Sequence, residues 1–192
     1  MKVLHDIFSI LCHQYADRSA HYYNEIFPVC YRCAGLYFGF FSSFLFILIK
    51  GRNSYFSITK KTGIFLALFV LPWFIDGICN FFSLWSTSGA LRSVSGMLCG
   101  IPLPLLLNFI QNNSGESRSW KKPGWVYFII PIIPGSSFIF LLVFTQSFFI
   151  FYSLAIIATI AVLLFCLNMI TIFFKVIVNN KVALSNSQLL QF

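Results

Sequence analysis

The amino-acid sequence predicts an all-α integral membrane protein, a polytopic bundle of about five transmembrane helices. Of its 192 residues, 58% are hydrophobic and 9% are charged, whereas a soluble domain carries roughly 25% charged residues. So few charged side chains cannot cover a water-facing surface on a chain of this length. Long uncharged stretches alternate with short basic segments, which is the pattern of a chain that crosses the lipid bilayer several times.

Individual spans are placed by charge-free runs that approach the about 20 residues a membrane-crossing helix needs. The first three runs are Cys33 to Ile49, Thr62 to about Phe82, and Ser93 to about Ile110. The second of them contains one charge, Asp76. A further run without any charge extends from Pro123 to Phe174, which is too long for one helix. We therefore divide it into two spans with a turn near Thr145-Gln146-Ser147.

Basic residues between the spans predict the orientation, because cytoplasmic loops carry an excess of Lys and Arg. With five spans, one side of the membrane receives Lys50, Arg52, Lys60, Lys61, Arg118, Lys121, Lys122, Lys175 and Lys181. The other side receives only Lys2, Arg18, Arg32 and Arg92. We therefore predict a multi-pass protein of the cell membrane with its N-terminus outside and its C-terminus in the cytoplasm.

This orientation divides the chain into five parts. They are an N-terminal Cys/His segment at the membrane surface (1–32), a three-span core (33–110), a basic cytoplasmic loop (111–124), two further spans (125–174) and a cytoplasmic tail (175–192). The apolar stretch before residue 13 is too short for a cleavable signal peptide, so the N-terminus is expected to be retained.

The first group of candidate functional residues is Cys12-His13 followed by Cys30-x-x-Cys33. Three thiols and an imidazole match the ligand types of a tetrahedral zinc site, with iron as the alternative metal. His5 or His21 is able to take the place of His13. A redox pair is a second interpretation, because Arg32 and the start of a helix at Cys33 both favour a thiolate. A structural disulfide, or thiols without a role, is the third.

The second group surrounds Asp76, which lies inside span two near its outer end. An ionisable group in a membrane is costly and usually faces a partner or a wet cavity. Arg92 begins span three on the same side, so an Asp76–Arg92 pair is expected. Together with Arg18 and Asn80, these residues predict a polar pocket near the outer surface, with Ser86, Thr87 and Ser88 adding hydrogen-bonding groups. The alternative is a simple ion pair at the helix ends.

Glycines and prolines predict how the helices pack. Gly35-x-x-x-Gly39 in span one and Gly96-x-x-x-Gly100 in span three are spaced for close approach of two helix backbones. Prolines in spans three and four should bend or break those helices, at Pro102, Pro104, Pro131 and Pro134. The cysteines at no ligand spacing (Cys79, Cys99 and Cys166) are predicted to be packing residues. The tryptophans (Trp73, Trp85, Trp120 and Trp125) are predicted to face lipid or the membrane interface.

Several function classes have no support. The net charge of +8 would suggest nucleic-acid binding in a soluble domain, but here the basic residues lie in short segments between apolar runs. The sequence contains no phosphate-binding glycine loop, nucleophile elbow or His-Glu-x-x-His helix. Ordinary hydrolase and ATPase chemistry is therefore not expected, and whether the protein is an enzyme is left open.

Four strings, CHQYADRS, PVCYRCAGLYFGF, LPWFIDG and STSGALRSVSGMLCG, follow one another within about residues 11 to 105. Together they resemble a family of small bacterial and archaeal membrane proteins known as domain of unknown function 2085. The family positions carried over to this chain are Cys12, His13, Arg18, Ser19, Pro28, Cys30, Arg32, Cys33, Gly35, Tyr37, Gly39, Asp76, Gly77, Ser86, Thr87, Arg92, Ser95 and Gly96. Asn80 is a mild departure, since the family pattern has Gln there. The resemblance implies no established activity, but it implies that the two groups of residues belong together.

Three functional hypotheses follow. The first is a membrane protein with an outward-facing Cys/His metal site above an Asp/Arg pocket for a small polar or lipid ligand. The second is a membrane thiol oxidoreductase that uses Cys30 and Cys33 with a quinone or a partner thiol. The third is a small transporter or membrane assembly subunit. The lipid bilayer is the expected partner in each case, an oligomer is compatible with all three, and nucleic acid is not expected.

Overall fold

The structure is a computed structural model. It describes residues 5–6, 8–9, 12–14, 16–22, 25–50, 55–56, 60–82, 84, 87–112, 120–121, 125–144 and 147–189. The predictions made for Ser86, Trp85 and the turn residues Thr145 and Gln146 fall outside these ranges, as does most of both basic loops.

The described part of the chain contains five helical stretches that are long and apolar enough to cross a membrane. They are Tyr31–Lys50, Thr62–Phe81, Gly89–Ile110, Val126–Phe144 and Phe148–Lys175. Their number and order confirm the all-helical, five-span prediction, and the uncharged run from Pro123 divides where the turn was expected. The α-helices are α1 (Tyr31–Lys50), α2 (Lys60–Phe81), α3 (Gly89–Gly100), α4 (Leu103–Asn112), α5 (Val126–Ile129), α6 (Ile132–Phe144) and α7 (Phe148–Leu189).

Spans three and four are each built from two helices separated at prolines, as predicted. Pro102 follows the end of α3, and Pro131 separates α5 from α6. Proline has no N–H and its ring clashes with the preceding turn, so the regular hydrogen-bond pattern stops at these positions. Helical bonding resumes at once, because the backbone N–H of Leu106 donates to the carbonyl oxygen of Pro102 at 3.1 Å. The breaks therefore interrupt the regular pattern without exposing a long unpaired segment, and Ile101 and Ile130 keep helical dihedral angles.

Helices α1 and α3 form the tightest contact of the bundle, and the two glycine patterns create it. A Cβ added at Gly35 would collide with the carbonyl oxygen of Ser93, and one added at Gly96 would collide with that of Arg32. Gly39 and Gly100 lie equally close to the opposite backbone. The prediction of close backbone packing is confirmed, and it places the first turn of α1 beside the first turns of α3.

Helix α2 lies at the edge of the bundle. Only 6% of the residues in its apolar stretch are buried. Its outward face exposes a stripe of large side chains, among them Ile64, Leu68, Leu71, Phe74 and Ile78. In a membrane this stripe faces lipid. Aromatic contacts hold α2 to α5, since the rings of Phe69 and Phe128 lie 5.5 Å apart.

The N-terminal segment contains a β-hairpin that the sequence reading did not predict. Strands β1 (Ser19–Tyr22) and β2 (Glu25–Cys30) pair antiparallel, with a register irregularity between Ser19 and His21. Phe27 and Val29 of β2 are fully buried, and the Phe27 ring meets that of Phe151 in α7 at 5.3 Å. The hairpin is thus anchored to the bundle by its apolar side chains, and β2 leads directly into α1.

Beyond the hairpin, strands β3 (Tyr55–Phe56) and β4 (Trp120–Lys121) pair in parallel. Helix α7 continues past the apolar run that ends at Phe174 and reaches Leu189. Much of the predicted cytoplasmic tail is therefore helical.

Candidate functional site

Three cysteine thiols meet where β2 enters α1. The sulfur atoms of Cys12, Cys30 and Cys33 all lie within 4.8 Å of one another. Cys30 is the last residue of β2 and Cys33 lies in the first turn of α1, so a strand-to-helix transition presents both sulfurs to the same point. None of the three is in a disulfide, and Cys12 is buried.

Cys12 reaches this point because the loop that follows it is fixed by Gln14. The side-chain amide of Gln14 donates to the carbonyl oxygens of His5 at 2.7 Å and Pro28 at 3.0 Å. Gln14 has a φ of 49°, an uncommon conformation for a residue other than glycine. The backbone N–H of Cys30 also donates to the Cys12 sulfur at 3.3 Å. These contacts hold the loop of Cys12 against β2.

Hydrogen bonding within the group distinguishes the protonation of its members. The pKa of Cys12 is well below its ordinary value, because the thiols of Cys30 and Cys33 donate to its sulfur and outweigh the effect of burial. The pKa of Cys30 is raised, chiefly because its thiol donates to Cys12. These hydrogen bonds thus favour the ionised form of Cys12 and the neutral form of Cys30.

The donor set and its spacing fit a soft or borderline metal ion. A tetrahedral zinc ion with Zn–S bonds of about 2.3 Å holds its sulfur ligands about 3.8 Å apart, which is compatible with three sulfur atoms that all lie within 4.8 Å of one another. His13 does not belong to the group. The other predicted substitutes bind elsewhere: the ring of His5 contacts Gln14 and the carbonyl oxygen of Ile26, and that of His21 the carbonyl oxygen of Ala16.

Asp76 lies at the centre of a second polar network, under the cysteine turn. Its side chain is 8% exposed and forms an ion pair with Arg32, with 2.5 Å between Arg32 Nη2 and Asp76 Oδ2. Arg32 Nε donates to the same oxygen at 2.7 Å. Thr87 donates to Oδ1 at 2.8 Å, and Ser95 lies 3.5 Å from Oδ2. Each carboxylate oxygen thus has a donor, as a buried charge requires.

The expected Asp76–Arg92 ion pair is wrong. Arg92 Nε donates instead to the hydroxyl oxygen of Thr87 at 2.9 Å, so Thr87 lies between the arginine and the carboxylate. Because α1 packs closely against α3, Arg32 and not Arg92 lies within ion-pair distance of Asp76 on α2. Arg32 stands between the two cysteines of the turn and so links that turn to Asp76.

Both groups of predicted residues line one cavity of about 220 Å³. Its lining residues are Cys12, His13, Gln14, Arg18, Cys30, Arg32, Cys33, Trp73, Asn80 and Arg92. Asp76 is beneath it, held by Arg32. The structure therefore brings together Arg18, Asn80 and Arg92 with the cysteines. The cavity lies at one end of the bundle, where α1 and α3 begin and α2 ends.

Three cavity residues were not predicted as site residues from the sequence. Arg32 was noted only as a cation beside the thiols and as a position of the family pattern. Trp73, predicted to face lipid or the interface, lines the cavity. It precedes Asp76 by three residues and Asn80 by seven, which is the spacing of one helix face, and this spacing is the signal that identifies it. Gln14 follows Cys12-His13 directly, but its role depends on contacts with His5 and Pro28 that sequence spacing does not reveal.

Comparison with known proteins identifies the family of the chain. The family described as "Predicted membrane protein (DUF2085)" matches residues 12–106. The chain belongs to this family. The matched region contains both groups of site residues, the first two spans and most of the third, so the resemblance seen in the sequence is confirmed. Spans four and five lie outside it.

Two similar proteins are archaeal. An "Uncharacterized protein" of Methanothermobacter thermautotrophicus is 30% identical over 105 residues, which is 55% of this chain and 91% of that protein. "Uncharacterized protein MJ1492" of Methanocaldococcus jannaschii is 28% identical over 97 residues, or 50% of this chain and 61% of that protein. No solved structure matches the chain. Membership in the family therefore gives a membrane location and no activity.

Proposed function

We propose that this protein binds a metal ion through Cys12, Cys30 and Cys33, and that the metal fixes the N-terminal segment above a cavity for a small polar or lipid ligand. The observation that carries the proposal is the group of three sulfur atoms within 4.8 Å of one another. Cys12 is 18 residues from Cys30, so this approach is produced by the fold and not by local spacing.

Zinc is the favoured ion, with iron as the alternative, because both accept thiolate ligands. A zinc ion bound by three protein ligands keeps its fourth position for water or a ligand. Since His13 lies outside the sulfur group but lines the same cavity, we assign the fourth position to an oxygen atom in the cavity. The same metal ion would thereby hold the N-terminal segment in place and contact the ligand in the cavity.

Metal analysis tests this proposal. We expect about one zinc or iron ion per chain in protein purified in detergent without chelators, with the thiols protected until denaturation. Cys12→Ser, Cys30→Ser and Cys33→Ser should each lose most of the metal and lower the yield of folded protein. Cys166→Ser is the matched control, because Cys166 lies in α7 outside the sulfur group. Full metal occupancy in each of the three site variants would contradict the proposal.

The same sulfur geometry favours thiol–disulfide exchange as a second candidate. If Cys30 and Cys33 form a disulfide, the Cys12 sulfur is close enough to attack it. The Cys12–Cys30 bond then forms, the Cys30–Cys33 bond breaks, and Cys33 leaves as a thiolate. Oxidation of the dithiol to that disulfide transfers two electrons and two protons to a quinone or to a partner disulfide. Protein without metal and with two fewer free thiols than cysteines would favour this candidate.

The transporter and assembly-subunit hypotheses stay predictions. The cavity lies between the hairpin and the ends of α1, α2 and α3, and its lining includes no residue of the proline breaks in spans three and four. A pathway through the bundle therefore has no support from these breaks.

The predicted orientation places the cavity at the outer face of the cell membrane. Accessibility to an impermeant reagent tests this orientation. Glu25 and Lys50 are exposed side chains near opposite ends of the β2–α1 unit. An impermeant maleimide should label Glu25→Cys in intact cells, above the background of the unmodified protein. Lys50→Cys should be labelled only after permeabilisation. The reverse pattern would place the cavity on the cytoplasmic side.

A further inference from the structure

Arg92 is a buried cation that faces the cavity. Arg92 is 9% exposed and lines the cavity near the start of α3. Its one hydrogen bond among the described residues runs from Nε to Thr87. The ion pairs within this part of the chain are Arg18–Asp17 and Arg32–Asp76. Arg92 therefore has no carboxylate partner among the described residues.

A buried guanidinium without a direct ion pair is costly, because burial removes the water that stabilises its charge, and Asp76 reaches Arg92 only through the hydroxyl of Thr87. The terminal nitrogens of Arg92 are the donors left for a ligand, since Nε is used by Thr87. Two parallel N–H groups of a guanidinium match the oxygens of a phosphate or carboxylate. The lining residues also include Arg18 and Arg32 and no acidic side chain. Away from the three sulfur atoms, these arginines disfavour an organic cation as the ligand.

We propose that the ligand of this cavity, whose existence rests on the function proposed above, is a phosphate-type oxyanion held by the terminal nitrogens of Arg92. A volume of about 220 Å³ is below the roughly 300–1,000 Å³ of pockets that enclose drug-sized ligands. The cavity therefore accommodates an inorganic phosphate or the phosphate group of a lipid, with any acyl chains left outside. Arg18, whose side chain is 40% exposed, also lines the cavity and adds positive charge there.

Titration of inorganic phosphate into the detergent-purified protein tests the proposal. Calorimetry should show saturable binding that chloride at the same ionic strength does not reproduce. Arg92→Gln should weaken this binding about tenfold or more, the loss typical of charge-assisted hydrogen bonds. Arg92→Lys, which keeps the charge but not the planar fork, should lie between the two. Lys50→Gln is the control, because it removes an exposed cation at the other end of α1.

A second arm distinguishes the source of the phosphate group. If a lipid supplies it, native mass spectrometry of the mildly purified protein should show a retained anionic phospholipid that Arg92→Gln loses. Nanodiscs containing phosphatidic acid should then compete with inorganic phosphate, whereas phosphatidylcholine nanodiscs should compete weakly. If free phosphate is the ligand, no lipid is retained and neither nanodisc competes.

The proposal is overturned if neither phosphate nor phospholipid binding responds to Arg92 substitution in variants that keep the thermal stability of the parent protein. Should Arg92→Gln fail to fold, Arg92→Lys and Arg18→Gln provide the same comparison. Metal content is measured in each preparation. If metal is present but no binding depends on Arg92, only the oxyanion proposal is contradicted. If binding depends on Arg92 but no metal is present, only the metal proposal is contradicted.

Discussion

Gly96→Ala is expected to separate α1 from α3 and to destabilise the protein by about 3 kcal/mol or more, the upper part of the range for overpacking a close contact. The added Cβ would collide with the carbonyl oxygen of Arg32, which belongs to a helix backbone and cannot rotate away. The two helices must then move apart along their whole glycine contact. Unfolding in detergent, followed by tryptophan fluorescence and by the midpoint of thermal unfolding, measures the loss.

Gly63 and Gly77 of α2 provide matched controls, because a Cβ added at either meets nothing within 4 Å. Alanine is the better helix former by about 1 kcal/mol in a helix interior. Gly63→Ala and Gly77→Ala should therefore be neutral or slightly stabilising, opposite in sign to Gly96→Ala. Equal destabilisation by all three substitutions would contradict the tight α1–α3 contact described above.

Asp76→Ala is the second substitution with a large expected effect, a loss of about 3–5 kcal/mol, as for a broken buried ion pair. It leaves the guanidinium of Arg32 without its carboxylate partner and Thr87 without its acceptor. Helix α2 buries little other surface, so the half of it that carries Asp76 should detach from the bundle. The free energy of unfolding and the accessibility of Cys79 on α2 to a thiol reagent measure the two effects.

An exposed ion pair serves as the comparison. The side chains of Arg18 and Asp17 are 40% and 72% exposed, and surface pairs of this kind contribute between about 0 and 1 kcal/mol. Asp17→Asn should therefore change stability little. A double-mutant cycle identifies the partner of Asp76: Arg32→Ala should show a large coupling energy with Asp76→Ala, and Arg92→Ala a smaller one. Stronger coupling to Arg92 would restore the pair expected from the sequence and contradict the structure.

Arg32 explains why the two networks should respond to each other. It stands between Cys30 and Cys33, its side chain is paired with Asp76 on α2, and its carbonyl oxygen lies against Gly96 on α3. A change at the cysteine turn is therefore transmitted through one residue to both neighbouring helices. The cysteines, Asp76 and the glycines all lie within the region that matches the family, residues 12–106.

The sequence by itself determined the class of the protein and much of its helix packing. The number of spans depends on the length and charge of apolar runs, and the approach of α1 to α3 depends on glycines at fixed spacing within each helix. The proximity of Cys30 and Cys33 follows from their separation by three residues. All these properties are local, because they depend on composition or on residues within one helix or turn.

Only the tertiary structure decided which distant groups meet. Cys12 joins the other thiols because the Gln14 loop is held against β2, and Asp76 selects Arg32 because three helices converge at that point. Trp73 faces the cavity because α2 lies against α3 on that side. Sequence spacing limits how far a connection reaches, but it does not determine which face of a helix meets a neighbour. Partner choice depends on that rotation, which is set by packing across the whole bundle.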